Sequence, residues 1–243
     1  MACDVWRLSG GRPIATMAAM RRGSEPRGFL GVVFDLDGVV ADSEPLHVRA
    51  WVQVLGGLGV SVQEIGEQSL AAWVGVPDVE IVGSLVERFG LPLSAEELLG
   101  RKRAAYRALI PEALAAFPGV LEELASWDGV PLAMATATPR REAELMLRTL
   151  GLAGVFRVLV TRDDVQRPKP APDCYLLAAS RLGLDPARCA AVEDAPYGAR
   201  AAREAGMHVL GVTTSYPAEK LGEAHRLFST VPQAIRWLKQ RVA

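Results

Sequence analysis

Apolar positions in this chain change their period twice. Val32-Val33-Phe34 is an unbroken apolar run that stops at Asp35-Leu36-Asp37-Gly38. A short β-rich run closed by a glycine predicts a buried strand over 31–35 that ends in a tight turn. A helical spacing then takes over. Leu46, Ala50, Val54, Leu55 and Leu58 predict a helix over 46–58, followed by helical segments at 61–73, 77–89 and 94–109. Ser94-Ala95-Glu96-Glu97 opens the last of these as a capping box, in which the serine caps and the glutamate reaches back. Pro118-Gly119 closes the helical block.

Strands and helices alternate from there to the end. The pattern predicts helices at 119–127, 139–150, 172–182, 196–205 and 231–241, and strands at 131–136, 157–160, 189–192, 207–212 and 226–229. Repeated β–α units imply a parallel sheet with helices on both faces, an α/β core of Rossmann-like type. The helical block falls between the first strand and the later ones, so it is expected as an inserted cap over the strand ends. The expected division is a core of 29–45 and 118–243 with a cap of 46–117. Residues 1–28 carry Gly10-Gly11, Pro13, Arg21-Arg22, Gly23 and Pro26 without periodicity, and read as a flexible tail with Met17 or Met20 as alternative starts. They contain no apolar core of signal-peptide length, and no stretch of the chain reaches transmembrane length.

Composition narrows the function. The 243 residues are half apolar, which supports a sizeable core, and the formal net charge is −1. Without a basic face the chain is not expected to bind nucleic acid or an anionic membrane through bulk attraction. Cys3, Cys174 and Cys189 form no CxxC pair, which argues against disulfides or a thiolate metal site and fits a reducing cytoplasm. His208 and His225 suggest no cluster and no zinc site, and the five tryptophans read as core and interface filler.

The chemistry collects where the topology rule puts it. Parallel strands present their C-terminal ends at one edge, where open α/β sheets bind ligands. There the first strand supplies Asp35 and Asp37, the second Thr136, Ala137 and Thr138, the loop after the third Lys169, and the fourth Glu193 and Asp194. Taken singly, Thr136 reads as a helix cap, Lys169 as a solvated loop lysine and Glu193-Asp194 as helix-capping charge. Taken together they need a cation, or some of them are protonated, because like charges about 4 Å apart cost on the order of 4 kcal/mol at an effective dielectric near 20. Oxygen donors without His or Cys favour Mg²⁺ over zinc. Asp35 and Asp194 are the candidate ligands, with Glu193 holding a metal-bound water. Lys169 supplies a point charge for a phosphate, and the amides after Thr136 open toward a helix start that suits an anion.

These residues resemble the four motifs of the haloacid dehalogenase superfamily, in its phosphatase and β-phosphoglucomutase-like branch, over about residues 30–215. Asp35-Leu36-Asp37-Gly38 is similar to the first motif, Thr136 to the second, Lys169 to the third and Glu193-Asp194 to the fourth. The resemblance implies that Asp35 is a nucleophile forming an aspartyl-phosphate and that Asp37 is the acid/base, with its carbonyl on Mg²⁺. It implies that Thr136, the Ala137 amide and Lys169 hold the phosphoryl oxygens, and that the cap selects substrate. His47 and Lys102 fall where the mutases carry a histidine and a lysine facing substrate, although His47 also reads as a polar hinge residue. The mutases place a phosphate-gripping arginine just after a Gly-Val pair. Here Gly75-Val76 is followed by Pro77-Asp78, and an acid repels a second phosphate.

The expected function is therefore Mg²⁺-dependent hydrolysis of a small phosphorylated metabolite, by a monomer or homodimer. The alternative is a β-phosphoglucomutase. A dehalogenase is disfavoured by the second Asp and by Glu193-Asp194, and a phospho-receiver domain by the helical insert. A purely phosphate-binding protein is disfavoured by the intact set of acids.

Overall fold

The computed structural model describes residues 28–73, 76 and 78–243. The expected tail therefore lies, up to residue 27, outside the described residues, as do Cys3, Gly75 and Pro77.

In chain order the elements are β1 (Gly31–Phe34), β2 (Ala41–Asp42), α1 (Glu44–Gly57), α2 (Val62–Ile65), α3 (Glu67–Trp73), α4 (Asp78–Phe89), α5 (Ala95–Ala113), β3 (Ala115–Ala116) and α6 (Val120–Ala125). Then come β4 (Leu132–Ala135), α7 (Arg140–Thr149), β5 (Val158–Val160), α8 (Asp173–Leu182), β6 (Cys189–Glu193), α9 (Pro196–Glu204), β7 (His208–Val212), β8 (Arg226–Phe228) and α10 (Val231–Lys239). Six strands form one parallel sheet in the order β5-β4-β1-β6-β7-β8. β1 is central, with β4 on one side and β6 on the other, so the first, second and fourth strand ends of the sequence reading become neighbours.

The period-2 alternation of β1 divides the core between two faces. Val32 and Phe34 join a cluster built with α6, α7 and α10, while Val33 joins one built with α8 and α9. A third cluster, including Trp51, Leu55, Ile65, Val82, Leu85 and Leu98, lies within the helical block. Each such fully buried side chain contributes about 1.5–3 kcal/mol. α1 and α5 carry the block on the core. Leu46 and Ala50 of α1 and Leu109 and Ile110 of α5 pack into the sheet's cluster, whereas Trp51, Leu55 and Leu98 pack into the helical one. Arg107 on α5 also pairs with the buried Glu142 on α7 at 2.7 Å.

Several expectations change. The helix expected over 61–73 breaks into α2 and α3 at Gly66, whose φ of +79° is left-handed and costs an L side chain more than glycine. The helix expected to end at 109 runs to Ala113 and contains Pro111. The block joins the core through an unforeseen two-stranded antiparallel ribbon, β2 with β3, too short to leave a periodicity. His208 and His225 do cluster: their rings stack at 4.4 Å, with Trp237 5.9 Å from His208. β7 and the segment before β8 bring them together, and His225 Nδ1 accepts from the Val209 amide, an aromatic packing role. No helix among the described residues is long and apolar enough to cross a membrane.

Candidate active site

The backbone places the acids before any side-chain contact does. The Asp35 amide donates to the Val192 carbonyl at 3.0 Å, extending the β1–β6 ladder one residue beyond Phe34. Asp35 thereby stands beside Glu193 and Asp194 at the end of β6. Oxygens of these three buried carboxylates lie within 4.8 Å of one another. The chain then turns through Gly38, whose φ is +73°, and a Cβ there would collide with the Asp194 carboxylate and crowd the Ser215 hydroxyl. A glycine is required at that position on both grounds.

Asp37 occupies a different environment from Asp35. Its Oδ1 accepts from Ser43 Oγ at 2.5 Å, and its Oδ2 from Thr138 Oγ1 at 2.5 Å and from Thr136 Oγ1 at 3.4 Å. Three hydroxyls thus fix its carboxylate. Thr136 is held by its amide, which donates to the Val160 carbonyl at 3.0 Å, and it accepts the Thr138 amide at 3.0 Å. Its neighbour Ala137 is exposed.

Lys169 reaches in from the loop before α8. Arg167 clamps that loop with a bidentate contact to Asp173 at 3.0 and 2.6 Å. Lys169 Nζ lies 3.0 Å from Asp35 Oδ1 and 2.6 Å from Glu193 Oε1. Burial alone would lower its pKa, but the two carboxylates outweigh burial and raise it, so it stays an ammonium. Glu193 is wholly buried, and both of its oxygens are engaged. Oε1 accepts from Lys169 and, at 2.5 Å, from Tyr175 Oη, while Oε2 accepts the amides of Asp194 and Ala195 at 3.1 and 3.3 Å. α9 passes so close that a Cβ on Gly198 would strike this carboxylate.

Asp35 has no such satisfaction. Its Oδ1 is buried and has no hydrogen-bond donor in good geometry among the described residues, only the ion-pair contact to Lys169. Burial, with help from Glu193 and Asp37, pushes its pKa up to about 7 against the pull of Lys169. Burial and the charges of Glu193 and Asp35 raise Asp194 well above the usual carboxylate range, although Ser215 hydrogen-bonds it. Two carboxyls driven toward protonation beside an unfilled oxygen fit a divalent cation, which reverses both shifts. The donors are oxygens only, as Mg²⁺ prefers.

The helical block adds His47 and Lys102. Lys102 Nζ contacts His47 Nδ1 and Asp78 Oδ2, each at 2.5 Å, and its side chain is 1% exposed. The ammonium is thus buried against these two side chains. Burial, with the charge of Lys102, lowers the pKa of His47 to about 4, so its ring is neutral.

Sequence reasoning missed Ser43, Tyr175, Thr214 and Ser215, and it placed Thr138 at the strand end without its contact to Asp37. Thr214 donates to the Gly38 carbonyl, and both Thr214 and Ser215 follow β7, a fifth parallel strand end that the same edge rule covers. Tyr175 had no signal, because a tyrosine in the first turn of α8 reads as core. Its ring also lies under Lys169, 5.1 Å from Nζ. Tyr175→Phe keeps the ring and removes the hydroxyl from Glu193. We expect kcat to fall roughly 10-fold as Lys169 shifts, with a stability loss of about 1–2 kcal/mol, read by steady-state kinetics and urea unfolding.

A family model of haloacid dehalogenase-like hydrolases matches residues 29–206. The chain belongs to that family. It is 36% identical over 185 residues to a fructose-1-phosphate phosphatase of Escherichia coli strain K12, covering 76% of this chain and 96% of that one. It is 31% identical over 193 residues to a β-phosphoglucomutase of Bacillus subtilis strain 168, covering 76% and 84%. The crystal structure of CbbY from Rhodobacter sphaeroides in complex with phosphate superposes with a TM-score of 0.72 at 27% identity, covering 84% of this chain and 96% of that one. As a member with phosphatase relatives across three quarters of its length, the protein is a phosphoric monoester hydrolase.

Proposed function

We propose that this enzyme hydrolyses a small phosphorylated sugar or similar metabolite through an aspartyl-phosphate on Asp35, with Mg²⁺ as cofactor. One observation carries the reading: a buried carboxylate with an unfilled oxygen, 3.0 Å from an ammonium, with a second carboxylate two residues on held by hydroxyls. A carboxylate oxygen of Asp35 attacks phosphorus as the bond to the leaving oxygen breaks, and Asp37 gives that oxygen its proton. Asp37, now a carboxylate, takes a proton from the water that attacks the aspartyl-phosphate. Inorganic phosphate leaves and the Asp35 carboxylate is restored.

Lys169, Thr136 and the Ala137 amide stabilise the phosphoryl oxygens. Mg²⁺ would be held by Asp35 and Asp194, with the Asp37 carbonyl, and would neutralise charge on these carboxylates and on the phosphoryl group. Glu193 is assigned to holding Lys169 rather than a metal-bound water, because four donors already occupy its oxygens. Residues 46–117 act as the cap that excludes water and selects the leaving group. The resemblance and the position of the helical block support this division.

Release of inorganic phosphate from a panel of sugar and polyol monophosphates tests the proposal. Turnover with Mg²⁺ and net phosphate release is expected. Interconversion of β-glucose 1-phosphate and glucose 6-phosphate without phosphate release would point to the mutase instead.

A further inference from the structure

Asp164 is a carboxylate that the proposed chemistry leaves unused, and it gathers four donors. It closes the turn 161–164 that follows β5. Its Oδ2 accepts the Thr161 amide and the Thr161 hydroxyl, each at 2.8 Å, and Arg140 Nη2 at 2.6 Å. Its Oδ1 accepts Arg181 Nη2 at 2.9 Å. The side chain is 13% exposed. Burial alone would raise its pKa, but the Thr161 donors and the two arginines outweigh burial and hold it below the usual carboxylate range. Capping the turn takes only Thr161. The arginines extend the same carboxylate to α7 and to α8.

The tie to α7 leads to the proposed phosphoryl site. Arg140 opens α7 just after Thr138-Pro139. The end of β5 and its turn grip the same stretch along the backbone. The Thr136 amide donates to the Val160 carbonyl at 3.0 Å, and the Arg162 amide to the Thr138 carbonyl at 3.2 Å. The Arg140 amide donates to Asp163 Oδ2 at 2.8 Å, and Arg140 Nη2 also reaches the Leu159 carbonyl at 3.3 Å. Between these fastenings lie the Thr136 hydroxyl, the exposed Ala137 and Thr138 Oγ1, which donates to Asp37. Residues 136–139 belong to neither β4 nor α7, so the fastenings set where the Ala137 amide lies. The tie to α8 leads elsewhere. Arg181 sits in the last turn of that helix and donates to Asp164 and, at 3.2 Å, to the Leu159 carbonyl.

We propose that Asp164 is a positioning residue for phosphoryl transfer. Through Arg140 it holds residues 136–140 against the end of β5, and so fixes the Thr136 hydroxyl, the Ala137 amide and the Thr138 hydroxyl around Asp35 and Asp37. The inference rests on the phosphomonoesterase reading above, in which these groups meet the phosphoryl oxygens and the acid/base. A displacement of about 1 Å in such groups costs on the order of 10²-fold in rate.

The test measures kcat, KM, the inhibition constant of inorganic phosphate and the melting temperature, with a sugar monophosphate that the wild type hydrolyses. The variants are Asp164→Ala, Arg140→Ala, the two combined, and Arg181→Ala. Asp164→Ala and Arg140→Ala should each lower kcat about 10- to 100-fold. Each should also weaken inhibition by inorganic phosphate about 10-fold, as its hydrogen-bond donors shift. The combined variant should stay within about 3-fold of the slower single one, because both act through one contact. Arg181→Ala takes the other arginine from the same carboxylate. It should lower the melting temperature yet leave kcat and phosphate inhibition within about 2-fold of the wild type. Arg140 is 39% exposed and alanine is a strong helix former, so Arg140→Ala gives the answer even where Asp164→Ala does not fold. Full kcat in Arg140→Ala, equal slowing by Arg181→Ala, or effects that multiply in the combined variant overturn the positioning role and leave the phosphomonoesterase reading standing. A wild type that releases phosphate from no monoester overturns that reading and the positioning role with it.

Discussion

Asp35→Asn is expected to lower phosphate release on the order of 10⁴-fold or more while the protein still folds. An amide is almost isosteric with the carboxylate, so packing at the end of β1 is preserved. It is a far weaker nucleophile and carries no charge for Lys169 or a cation. The fold tolerates the change for a further reason. Asp35 is strained toward protonation by burial and by Glu193 and Asp37, so removing its charge relieves an electrostatic cost. Activity and melting temperature should therefore move in opposite directions. A purely structural Asp35 would lose both together.

Removal of divalent metal is the second large effect. Chelation should reduce turnover at least about 10³-fold, and Mg²⁺ should restore it. A thermodynamic signature accompanies the loss. In the metal-free protein Asp35 holds its proton up to about pH 7 and Asp194 also holds one above its ordinary range, whereas an unfolded aspartate releases it near 3.8. The folded state then binds more protons than the unfolded one, so these two groups make stability fall as pH rises from about 4 through about 7. His47 acts oppositely, since its lowered folded pKa makes stability rise between about pH 4 and 6.5. The diagnostic quantity is therefore the shift that Mg²⁺ produces, not the raw melting curve. At 100-fold excess over its Kd the ion should raise Tm by about 5–10 °C at pH 8, and by clearly less at pH 5, where it competes with protons. Thermal scans with and without Mg²⁺ at the two pH values check this.

The proposed catalytic set was legible in the sequence because parallel strand ends obey one rule. An apolar run followed by a polar residue locates each of Asp35, Thr136 and Glu193-Asp194, and the order β4-β1-β6 makes them neighbours. Lys169 was legible as a charge but not in its restraints. Its partner Tyr175 sits in a helix whose periodicity says only that the side chain is buried. Ser43 was hidden and Thr138 was visible only as a strand-end hydroxyl, because a hydroxyl beside a helix start reads as a cap and only the three-dimensional turn through Gly38 brings both onto Asp37. Gly66 was visible as a glycine, but its left-handed φ depends on how α2 and α3 pack. In the helical block the sequence showed Asp78 as an acid where an arginine was expected. It could not show that Asp78 pairs with the buried Lys102, since 24 residues separate the two.

The central claim is a covalent phosphoryl intermediate on Asp35, and borohydride trapping tests it most directly. Hydride reduces an acyl phosphate to the alcohol and leaves free carboxylates untouched. Quenching the Mg²⁺-loaded enzyme with borohydride during turnover of a sugar phosphate should convert residue 35 to homoserine. Peptide mass spectrometry reads the conversion at that position and at no other aspartate. Phosphate release at full rate with Asp35 unmodified, or conversion at Asp37 or Asp194 instead, would contradict the account.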